Sequence, residues 1–257
     1  MASDNKTQAV APYGPFGLVL SLVCAIVLAA IYAALFIGLL ALVDAALFGW
    51  SDMLAAARTV RTGATARDPS VVPAGYAAGI VVYLAMAAAV LSLARLRGGT
   101  EWRGLVAWQV DRQWWRDRRY WALVAAAVAY GTLASALLSA FYPPSNNWFT
   151  LAPGAAALLL SFLLVVVVAP VSEELLFRGW IYTSLRSWLG AGASVTISAL
   201  LFALAHYEST HLYTLAVLPI GLILGALRER AGTFWATASV HVLYNFSAWL
   251  LTALGSS

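Results

Sequence analysis

Residues 16–43 read FGLVLSLVCAIVLAAIYAALFIGLLALV, a run of 28 positions without a charged side chain. Crossing the roughly 30 Å hydrocarbon core of a bilayer takes about 20 apolar residues in a helix. The run is too long for the apolar core of a cleaved signal peptide, and few basic residues precede it. It reads as a first transmembrane helix. The rest of the chain agrees. Of 257 residues, 62% are hydrophobic and 10% are charged, with a mean hydropathy of +0.82. A soluble domain would carry about 25% charge. The composition excludes a disordered chain, a coiled coil and an ordinary cytosolic enzyme. The expected fold is all-α, a polytopic transmembrane helical bundle of about seven spans with room for an eighth.

Working outward, Val71–Leu96 is the second span and Trp121–Tyr142 the third. The fourth runs from Gly154 through Pro170 to Leu189. Ala193–His206 starts the fifth, Leu212–Leu227 makes the sixth and Thr233–Leu254 the seventh. Asp44–Ser70 reads as a loop able to hold an interfacial helix, and Pro143–Pro153 as a turn. The stretch Arg95–Tyr120 carries Arg95, Arg97, Arg103, Arg112, Arg116, Arg118 and Arg119, interleaved with Trp102, Trp108, Trp114 and Trp115. Arginine with tryptophan is what the headgroup region selects. A solvated loop with membrane-anchoring aromatics along the cytoplasmic face is expected there. The chain thus divides into an N-terminal membrane region, 1–150, with about three spans, and a helical core, 151–257. No repeat and no soluble second domain is visible.

The formal net charge is +4 and the pI about 9.4, but the arginines flank apolar runs, so no nucleic-acid partner is expected. With the N-terminus inside, the inner segments hold 11 basic residues and the outer ones three, Arg58, Arg61 and Arg67. The positive-inside rule then places the N-terminus in the cytoplasm. Lys6 is the only lysine, a bias that suggests a GC-rich bacterial genome and a bacterial plasma membrane. Cys24, the single cysteine, excludes an intrachain disulfide.

Glu173, Glu174 and Arg178 interrupt the apolar fourth span. Ionisable side chains there are costly, and each is by default a functional hypothesis. Glu174 and Arg178 are four apart and can pair on one face. Glu173 is rotated by about 100° and needs another partner. At 1.5 Å per residue, Glu173 lies roughly 25 Å from the turn at Gly190, and His206 roughly 21 Å from the same face. His241 and Asn245 lie roughly 14 and 20 Å in, four apart and pointing the same way. One carboxylate, two histidines and an amide therefore share a slab. His211, beside Glu208, Ser209 and Thr210, reads as a loop residue.

This set supports a definite chemistry. A carboxylate held away from bulk water suits a general base, and a neighbouring histidine can hold and polarise a water. A second histidine and an amide can donate to a developing oxyanion. No serine or cysteine stands as a nucleophile beside the histidines. The residues read as direct attack of activated water on a carbonyl, without a cofactor. A zinc ion on Glu173, His206 and His241 is the alternative, although the usual helix signature of two histidines four apart is absent.

Three motifs carry a resemblance. Glu173-Glu174-Leu175-Leu176-Phe177-Arg178 resembles the EExxxR motif of the CAAX-protease and bacteriocin-processing (CPBP, or Abi) intramembrane endopeptidases, which include the type II CAAX prenyl proteases. Phe202-Ala203-Leu204-Ala205-His206 resembles the second motif, FxxxH, and His241-Val242-Leu243-Tyr244-Asn245 the third, HxxxN. Gly221 and Gly225 fit the family's small-residue packing. The resemblance covers residues 154–254 and implies roles: Glu173 as general base, His206 as its water-activating partner, His241 and Asn245 as oxyanion stabilisers, and Glu174 and Arg178 as supporting residues. It implies a membrane-associated peptide or protein substrate and a glutamate-type, metal-free hydrolase. The competing readings are a non-catalytic scaffold or bacteriocin-immunity protein, and a proton-coupled transporter using Glu173 and the histidines as a relay.

Overall fold

A computed structural model describes residues 13–48, 72–110, 113–141, 154–207 and 212–255. The turn at 143–153, Lys6, His211 and most of the segment 44–70 lie outside the described residues. Seven principal helices follow the apolar runs: α1 Pro15–Phe48, α2 Val72–Gly98, α3 Arg118–Phe141, α4 Ala155–Arg186, α5 Ala191–Ala205, α6 Leu212–Ala231 and α7 Phe234–Gly255. There is no strand among the described residues. By length and apolarity alone, α1, α2, α4 and α6 are each sufficient to cross a membrane. The architecture is the expected all-α membrane bundle.

α1 shows how the bilayer shapes the packing. Phe16, Ile26 and Leu35 are exposed, whereas Leu18, Ser21 and Ala25 are buried. A helix lying in hydrocarbon has no reason to hide its apolar side chains, so only the protein-facing strip is covered. Tyr32 bonds Ser92 of α2 at 3.0 Å, and Trp180 of α4 donates to Ser21 at 3.1 Å. α5 and α6 meet most closely. A Cβ on Gly221 would lie 3.2 Å from Ala199, and one on Gly225 would lie 3.0 Å from Val195. Glycine at these two positions lets the backbones approach. Gly232, with φ +72°, bonds back to the Arg228 carbonyl at 3.0 Å and ends α6 in the left-handed conformation that favours glycine.

α4 is not a uniform α-helix. It widens into π-helix over Phe162–Val168 and again over Leu175–Ile181, with Ala169–Glu174 in α-form between. Pro170 accounts for part of this, because it has no N–H and its ring crowds the preceding turn. In the wide register Ala169 N–H bonds the Leu164 carbonyl, five residues back. The next carbonyl, Val165, would then look to Pro170, which has nothing to donate. At the second widening, Tyr182 N–H reaches the Phe177 carbonyl, and the Arg178 carbonyl accepts instead from Arg228 Nε at 2.9 Å.

The Arg/Trp segment differs in part from a solvated loop. Val106 and Ala107 are buried, and the Ala107 carbonyl accepts from Thr233 Oγ1 at 3.1 Å and Phe234 N at 3.3 Å. Trp108 packs at a tilt against Phe234 and edge-on against Trp235. The segment satisfies donors at the start of α7, which would otherwise lack partners. Two of its arginines lie over aromatic rings: Arg95 over Trp102 at 4.5 Å and Arg97 over Tyr13 at 4.1 Å.

Candidate active site

Glu173, His206, His241 and Asn245 line one cavity of about 250 Å³, together with Tyr83, Tyr213, Tyr244 and Phe202. The depth argument from sequence thus brings together residues from α4, the end of α5, and α7. α5 has 15 residues, roughly 22 Å of rise against a hydrocarbon core of about 30 Å. It stops at Ala205, and His206 follows at its C-cap with non-helical backbone. The short helix therefore delivers His206 inside the protein, beside the α4 carboxylate.

The carboxylate of Glu173 is approached from two sides. Its Oε2 lies 3.9 Å from His206 Nε2 and 3.9 Å from His241 Nε2. Both separations are too long for a hydrogen bond and suit a shared water. Its Oε1 accepts from Tyr83 Oη at 2.8 Å. Tyr83 is the partner that Glu173 needed. Nothing in the sequence marks a tyrosine in α2, some 90 positions away, as special.

Both histidine tautomers follow from their partners. His206 Nδ1 is 2.8 Å from the Phe202 carbonyl, which can only accept, so Nδ1 carries the hydrogen. His241 Nδ1 is 3.1 Å from Glu174 Oε1, an acceptor as well. When a ring is neutral, its Nε2 is then bare. For either Nε2 to donate, the ring must take up a second proton.

Glu174 and Arg178 form the expected pair, with Arg178 Nη1 at 2.6 Å from Glu174 Oε1 and both side chains fully buried. Arg178 Nη2 also donates to the Gly221 carbonyl at 3.0 Å, and its guanidinium lies 4.4 Å over the Phe202 ring. The pair sits behind His241 and ties α4, α6 and α7 together. Asn245 lies in the cavity wall, and its Nδ2 donates to the Val165 carbonyl at 2.8 Å. That is the carbonyl left without a backbone donor by the π-turn and Pro170. One of the two amide hydrogens is committed to the fold, and the other remains for the cavity. Tyr244, between His241 and Asn245 in sequence, lies against Gly131 of α3, where a Cβ would collide with its ring.

Residues 155–247 match the family model described as type II CAAX prenyl endopeptidase Rce1-like. The likeness is confined to this C-terminal stretch of the chain. The match takes in α4, α5, α6 and α7 through Ser247, and so contains every candidate site residue named from the sequence. It supports a CAAX-type intramembrane protease in general. No curated protein and no solved structure matches the chain. Tyr83 lies outside the matched residues.

Proposed function

We propose that the chain is an intramembrane endopeptidase that hydrolyses a peptide bond by direct attack of water. The observation that carries this reading is the placement of Glu173 Oε2 at 3.9 Å from two imidazole nitrogens within one cavity. A water seated between Oε2 and His206 Nε2 meets two acceptors, and both of its hydrogens are engaged. Its oxygen lone pair then faces the cavity. Glu173 takes the proton as the water attacks the carbonyl carbon. The carbonyl oxygen gains charge, and His241 in its doubly protonated form donates to it from Nε2. Asn245 donates its second amide hydrogen. Collapse expels the amine, which receives the proton held on Glu173. Glu174 and Arg178 act through His241, fixing its ring rather than touching the substrate.

The mechanism is metal-free in this reading, with the protein's own groups supplying base and oxyanion donors. The substrate is a membrane-associated peptide or protein. The N-terminal region, 1–150, supplies about three spans and the interfacial segment. Arginine placement supports a cytoplasmic N-terminus, and the near-absence of lysine supports a bacterial plasma membrane. The test is a comparison of membrane-peptide termini in cells carrying wild-type or Glu173→Gln protein. New termini that vanish in the variant support the proposal. Identical termini in both strains overturn it.

A further inference from the structure

Glu173 has two chemically equivalent oxygens, but their surroundings are not equivalent. Oε2 faces both histidines across the cavity. Oε1 accepts from Tyr83 at 2.8 Å. The terminal torsion of a glutamate is broad and roughly two-fold, so a carboxylate without a fixed partner samples many orientations of its plane. A donor on one oxygen ends that freedom. The donor itself is well anchored. α2 is locked by Ala89, Val90 and Ala94, each fully buried, and by the Tyr32–Ser92 bond to α1. Tyr83 also lines the cavity, so its hydroxyl reaches the carboxylate from the cavity wall.

We propose that Tyr83 is a positioning residue of the reaction: it holds Glu173 Oε1, so that Oε2 alone is presented to the water it shares with His206. This rests on the proposed hydrolytic role of Glu173. It adds a functional residue from the N-terminal region, outside the matched residues. The matched stretch then lacks one determinant of its own base, and α2 supplies it. Tyr83→Phe keeps the ring and removes the donor alone. A hydrogen bond to a charged group of this kind is expected to change turnover by roughly ten- to a hundredfold.

The decisive measurement needs no substrate. In purified full-length protein in phosphatidylcholine liposomes, the infrared difference between wild type and Glu173→Gln isolates the Glu173 carboxylate band. The same difference is taken between Tyr83→Phe and the Tyr83→Phe/Glu173→Gln double variant. Loss of the donor is expected to move the band. Tyr32→Phe, which loosens α2 without touching Glu173, is expected to leave it in place. A band unmoved by Tyr83→Phe, or moved equally by Tyr32→Phe, overturns the proposal. On any peptide cleaved in a Glu173-dependent way, Tyr83→Phe is expected to lower kcat with KM unchanged, and an unchanged kcat also overturns it. If Glu173→Gln retains cleavage, the hydrolytic reading fails while the infrared result still stands.

Discussion

Replacing Arg178 with methionine tests the physical core of the site. Methionine is close in length but cannot donate. The change removes the 2.6 Å bond to Glu174 Oε1, the 3.0 Å bond to the Gly221 carbonyl and the stack on Phe202. Above all it leaves a fully buried carboxylate without its counter-charge. Breaking one side of a buried pair costs about 3–5 kcal/mol. For a chain of this size that corresponds to a fall in Tm of roughly 6–20 °C. The double variant Glu174→Gln/Arg178→Met removes both charges together and should recover at least about 2 kcal/mol of the summed single losses. Thermal unfolding followed by tryptophan fluorescence in detergent reads all four proteins. If the single losses simply add in the double variant, the buried-charge argument is wrong.

Three further outcomes are expected. Asn245→Ala strands the Val165 carbonyl and should cost about 1–3 kcal/mol. Adding Pro170→Ala returns an N–H five residues on, and a melt showing no recovery in the double variant would refute the π-register account. Gly131→Ala drives a methyl group into the Tyr244 ring and should cost about 1–3 kcal/mol. Tyr244→Leu should relieve that cost in the same unfolding assay, and independent losses would count against the contact. Prolonged chelation should leave Glu173-dependent cleavage within about twofold of control, whereas loss restored by zinc alone would refute the metal-free mechanism.

The candidate site was readable where charge is scarce. Glu173, Glu174 and Arg178 stand out because ionisable groups are expensive in an apolar helix, and spacing alone paired the last two. Counting residues from turns brought His206, His241 and Asn245 to one depth. Other features left no such mark. A tyrosine in a span is unremarkable, so Tyr83 could be found only by seeing where its hydroxyl goes. The role of Asn245 on Val165 depends on which carbonyl the π-turn skips, and backbone register is not encoded in residue type. Trp108 and Ala107 looked like interface, because burial beneath α7 arises from tertiary packing rather than from composition.

The Val165 carbonyl has a consequence for recombination between related chains. Pro170 on α4 leaves this acceptor without a backbone donor, and Asn245 on α7 donates to it. The two helices are therefore a matched pair, like a plug and its socket. A chimaera that imports α4 from one parent and α7 from another inherits either a bare carbonyl or an idle amide. Crossover points between them should be tolerated only where both parents carry the same combination at these two positions.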